Sequence, residues 1–152
     1  WSGPLRWGAA GKPPDPAADE PKVAAIINWF GITDVGDLFN GPNAQGYAIA
    51  WFGSLPDRDE IARRVSPLTY VRSGLPPLLT IHGDPDPVVP YSHAVRLHQA
   101  LDKAGVPNQL LTVPGGKHGG FPGAEVQRAF QTIREILVAN KIWQLPDATP
   151  KP

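Results

Sequence analysis

Two residues of this chain are placed to do acid–base chemistry: Asp86, in His82-Gly83-Asp84-Pro85-Asp86, and His118, in Gly115-Gly116-Lys117-His118-Gly119-Gly120. They stand 32 positions apart, each in a turn that closes a short apolar run. A carboxylate held against an imidazole selects its tautomer and stabilises the imidazolium, so the pair makes a general base for a hydroxyl nucleophile. Their neighbours read more plainly. Asp84 suits a turn or cap, and His82 suits a local hydrogen bond. His93 and His98 fall on different faces of a helical pattern, which argues against a shared metal. His82, Asp84, Asp86 and His118 match no zinc-ligand spacing, and the glycines around Lys117 lack the Gly-Lys-Ser/Thr of a phosphate loop. No metal or cofactor is expected. Trp29, Phe30, Trp51 and Phe52 suit either an acyl pocket or core packing.

Three apolar runs must position these turns. The first is Val23–Phe30, ended by Gly31; the second is Leu78–Ile81, introduced by Pro76-Pro77; the third is Gln109–Val113, ended by Pro114-Gly115-Gly116. Runs so short, apolar on both faces and bounded by Pro and Gly, predict buried parallel strands. Helical spacing predicts short helices over Ala44–Phe52 and Asp57–Val65. A longer helix is expected from a Ser92 cap to Ala104, with Ala94, Leu97, Leu101 and Ala104 inward and Gly105 as the stop. The last helix spans Ala124–Ala139, with Val126, Phe130, Ile133 and Leu137 as its apolar stripe. The fold class is therefore α/β, a short parallel sheet of about three strands flanked by helices. In such sheets function gathers at the carboxyl ends of strands, and one right-handed crossover returns the Asp86 and His118 turns to the same sheet edge.

At these residues the chain resembles the serine α/β hydrolases, in particular the esterase/lipase and prolyl-oligopeptidase-like members. The resemblance rests on Ile81–Pro90, on Gly115–Phe121, on Ser66–Val71 before the second run and on Trp29–Asp34 after the first, and it covers about residues 22–140. It implies the C-terminal portion of a hydrolase domain, with Asp86 as the triad acid, His118 as the general base and a small carboxylic ester as substrate. The family nucleophile sits in Gly-x-Ser-x-Gly on a strand-to-helix turn. None of Ser2, Ser54, Ser66, Ser73 and Ser92 has that context. The nucleophile is then an atypical serine, missing, or supplied elsewhere. The alternative is a non-catalytic remnant that serves as a binding or dimerisation module. A first strand without a neighbour would expose its edge, so a homodimer or a complementing chain along that edge is expected.

Composition narrows the partners. Of 152 residues, 14 are Lys or Arg and 14 are Asp or Glu, a balance that lacks the basic excess of a nucleic-acid binder. Cys is absent, which removes disulfides and thiol chemistry. No apolar run approaches a membrane span and no signal peptide is visible, so a soluble chain of unknown localisation is expected. The 16 Gly and 19 Pro exceed ordinary usage. Prolines cluster in residues 1–21, read as an irregular arm, and in 141–152, read as an irregular tail.

Overall fold

The three apolar runs form one parallel sheet in the computed structural model, which describes residues 23–53 and 55–144. Its strands, β1 (Ile26–Trp29), β2 (Leu78–Gly83) and β3 (Asn108–Val113), lie side by side in that order. Ile26 stands opposite Leu78, and Leu78 opposite Asn108. The β1–β2 crossover carries α1 (Gly46–Phe52), α2 (Arg58–Val65) and three 3-10 turns. Helix α3 (Ser92–Lys103) joins β2 to β3, and α4 (Gly123–Ala139) follows β3. This is the expected α/β architecture. The arm at 1–21 and most of the tail at 141–152 lie outside the described residues. No helix among those described is long and apolar enough to cross a membrane.

Central β2 is buried at every position, which is why its sequence does not alternate. Its successive side chains feed opposite faces of the sheet. Leu79 and Ile81 pack with Leu111, Val113 and Ala129 of α4, whereas Leu78 packs with Leu97 and Leu101 of α3. A third cluster, Leu38, Phe39, Ala48 and Ala62, closes the crossover on itself.

Three expectations need correction. Strand β1 begins at Ile26 rather than Val23. Pro76 and Pro77 have no amide hydrogens with which to extend the β2 ladder, and the last carbonyl before β2, that of Pro77, accepts from Ile26 N (2.9 Å). Ser92 does not cap α3. Pro90 already starts a helical turn, with His93 N bonded to its carbonyl (2.9 Å), so Ser92 is the first helical residue and its Oγ accepts from Asn43 Nδ2 instead (3.3 Å). Finally, Ala129 and Thr132 are the buried residues of α4, with Ile133 and Ile136 beside them, while Phe130 remains 62% exposed. The small Ala129 lets the helix approach the sheet, and that rotates the contact face by one residue. Phe130 then lies beside Trp29, ring centroids 6.0 Å apart, near the edge of β1 that carries no strand among the described residues.

Candidate active site

The turn after β2 builds the acid. Asp86 Oδ1 accepts from the backbone amides of Val88 (2.8 Å) and Val89 (3.0 Å), a local side-chain turn that fixes the carboxylate plane. Its Oδ2 lies 2.9 Å from His118 Nδ1. Burial favours the neutral acid, but the Val89 amide, the His118 imidazole and the Val88 amide together outweigh it, so the Asp86 carboxyl is held below its usual range. An ionised carboxylate only accepts, so His118 Nδ1 carries a proton, and in the neutral ring the lone pair then lies on Nε2. That is the tautomer a general base requires.

The His118 loop reaches Asp86 by close backbone approach. A Cβ on Gly83 would overlap the Gly116 carbonyl, so the end of β2 and the start of this loop touch as only glycine permits. Asp84 Oδ1 accepts from Gly115 N (2.7 Å) and ties the two turns together, the structural role its sequence suggested. Beyond them, Phe30 takes a left-handed backbone (φ 40°) at the end of β1. Its ring meets the His118 imidazole edge to face, centroids 4.6 Å apart. Replacing Phe30 by Leu is expected to cost about 1 kcal/mol in urea unfolding. The same change should remove the ring-current displacement of the His118 side-chain resonances in NMR spectra.

A cleft of about 290 Å³ opens beside His118, walled by Trp29, Phe30, Ile32, Tyr47 and Val88. Tyr47 of α1 donates to the Val88 carbonyl (3.0 Å), which binds the crossover to the Asp86 turn. Of the aromatics noted in the sequence, Trp29 and Phe30 line this cleft. Trp51 is 77% exposed, and Phe52 packs on Phe39. A larger hollow of about 340 Å³ lies along Ile26, Ile27, Leu75 and Leu97 and does not include His118.

The structure thus brings Asp86 and His118 together. No serine among the described residues hydrogen-bonds the His118 ring. Ser66 Oγ donates to the Ala62 carbonyl (2.6 Å) and accepts from Val35 N (2.8 Å), and Ser92 engages Asn43. Sequence reasoning missed a second histidine cluster. His93 Nδ1 accepts from the amides of Thr33 (3.2 Å) and Asp34 (3.4 Å), and its Nε2 stands 3.2 Å from Asp37 Oδ2. Arg96 clasps Asp34 (2.9 Å) and Asp37 (2.7 Å). The paired spacings Asp34-x-x-Asp37 and His93-x-x-Arg96 were the available signal. The cluster anchors the loop after β1 to α3 and thereby supports the Ile32 wall of the cleft.

Residues 11–101 match the model of the BD-FAE family. The chain belongs to the BD-FAE family. Its sheet and flanking helices have the α/β hydrolase fold of solved esterases. One of these, a truncated form of a carbohydrate esterase from gut microbiota, superposes with a TM-score of 0.65 at 29% identity, over 80% of this chain and 44% of that one. Esterase LipQ of Mycobacterium tuberculosis is 29% identical over 123 residues, 79% of this chain and 28% of that protein. The non-reducing polyketide synthase ascC of Acremonium egyptiacum is 40% identical over 94 residues, 58% of this chain and 4% of the synthase. The BD-FAE chain therefore spans less than half the length of each of these proteins.

Proposed function

We propose that this chain carries the acid–base half of a serine-type carboxylic ester hydrolase, with Asp86 orienting His118. The observation that supports it is the 2.9 Å contact between Asp86 Oδ2 and His118 Nδ1 at the rim of an apolar cleft. In this reading a serine hydroxyl attacks the ester carbonyl while His118 Nε2 takes its proton. His118 then delivers that proton to the departing alkoxide, and water hydrolyses the acyl-enzyme by the same route. The serine is atypical or comes from another segment or chain. The edge of β1 that carries no strand among the described residues is where a complementing strand would pair.

A second reading is a non-catalytic hydrolase remnant that binds or dimerises through that edge. It is favoured by the lack of any serine hydrogen-bonded to His118 among the described residues. One experiment separates the two. The chain is incubated with a short p-nitrophenyl ester and a fluorophosphonate probe, and its mass in solution is measured by light scattering. Autonomous catalysis predicts turnover and a covalent serine adduct, both reduced by about three orders of magnitude or more in Asp86→Asn and His118→Ala. Neither turnover nor adduct, with a dimer in solution, supports the remnant. A monomer that melts cooperatively counts against dimerisation.

A further inference from the structure

A third ionisable side chain touches the pair. His82 sits in β2 with its ring fully buried. Its Nε2 lies 3.0 Å from the Val89 carbonyl oxygen and 3.3 Å from Asp86 Oδ2. Both partners can only accept, so the nitrogen that faces them must bear the proton. Nδ1 then holds a lone pair, and it is buried with no hydrogen-bond partner. An imidazole with one nitrogen unsatisfied is a poor choice for filling space, since a buried unpaired acceptor is destabilising. The useful group is the Nε2–H.

We infer that His82 is a positioning residue for the Asp86–His118 pair: its Nε2–H bonds the carbonyl of Val89, whose amide holds Asp86 Oδ1, and the same nitrogen stands 3.3 Å from the carboxylate oxygen that His118 Nδ1 uses. Asp86 is thereby fixed at both oxygens: Oδ1 by the Val88 and Val89 amides, and Oδ2 by the His118 imidazole with the His82 ring close behind it. The titratable groups that face His82 are Asp86, His118 and Tyr91, whose ring meets it edge to face with centroids 5.7 Å apart. Burial lowers the proton affinity of His82, so it donates as a neutral ring and adds no positive charge opposite an imidazolium at His118. Without the donor, the carboxylate can turn about its Oδ1 anchor, and His118 loses the acceptor that selects its tautomer.

The role in catalysis rests on the acid–base reading above, but tautomers and coupling can be read without turnover. The test uses the full chain with ¹⁵N-labelled histidine and long-range ¹H–¹⁵N correlation across pH. In the wild type, His82 is expected as the neutral Nε2–H form at pH 7, with His118 as Nδ1–H. His82→Leu removes the donor, and the Nδ1–H preference of His118 should fall roughly threefold or more. His82→Gln places an amide near Nε2 and should restore most of that preference. A wild-type His82 protonated on Nδ1 overturns the inference. So does a folded Leu variant in which His118 keeps its tautomer. If the Leu variant does not fold, the wild-type tautomer decides. Loss of esterase activity alone bears on the catalytic proposal and leaves this result untouched.

Discussion

Acidification from pH 7.5 to 5.5 is expected to lower the stability of this domain, because three of its four histidines are buried as neutral rings. For His82, His93 and His98, burial is the leading cause of a pKa below the ordinary 6.5. The Arg96 guanidinium adds to the effect at His93, whereas the Val89 carbonyl and Asn108 oppose it at His82 and His98. The unfolded chain takes up these protons near pH 6.5, and the native state takes them up only at lower pH. Between those points the unfolded state binds more protons, so stability falls as pH falls and is complete only well above 6.5. Each ring loses stability at no more than about 1.4 kcal/mol per pH unit, and only in the interval between its unfolded and its lowered folded value. Asp86 acts in a lower window. Its depressed carboxyl stabilises the fold above the unfolded value of 3.8, and that contribution disappears as pH drops further. Urea unfolding at pH 7.5, 6.5 and 5.5 measures the first window. A midpoint that holds steady across the series would contradict the assignment of three neutral buried rings.

The second large effect belongs to Gly83→Ala. The added methyl meets the backbone carbonyl of Gly116, which no side-chain rotation can move aside. Either the end of β2 or the His118 loop must shift, and the loop has the fewer ladder bonds to hold it. We expect a loss of about 3 kcal/mol or more, in the range of severe overpacking. The Asp86–His118 hydrogen bond should break with it, visible as a changed His118 tautomer. Gly123→Ala is the control. Gly123 opens α4 at an ordinary φ with free space around it, so alanine there should be neutral or slightly stabilising. Equal urea midpoints for the two variants would mean that the backbones at Gly83 and Gly116 do not touch.

Much of this site could be read from local sequence because its parts are local. Pro76-Pro77 and Pro114-Gly115-Gly116 bracket buried strands, and parallel topology returns the turns that follow β2 and β3 to one edge. The acid and the base therefore meet on topology alone. What escaped depends on distant packing. The contacts of His93 and Arg96 with Asp34 and Asp37 cross about 60 residues, and no local pattern signals which helix face will meet which loop. The outward turn of Phe130 depends on how closely Ala129 approaches the sheet, a property of two elements rather than one. The link from His82 to Asp86 did lie within one turn. A histidine in a short motif is ambiguous until its second nitrogen is seen to have no partner.

The hydrogen bonds that Asp86 and His118 make with each other and with their own turns lie between residues 82 and 118: Asp86 with Val88, Val89 and His118, and Asp84 with Gly115. His118 is thus pre-organised mainly by folding of a single crossover, with Phe30 and Tyr47 bracing it from the preceding elements. A hydroxyl that arrives from any other segment meets an imidazole whose ordering entropy was already lost when the chain folded, not at the moment of encounter. On the proposed hydrolase reading, assembly of the site then needs no rearrangement of the His118 ring. Its rate is set by diffusion and docking of the incoming segment, and rearrangement of the base adds no step.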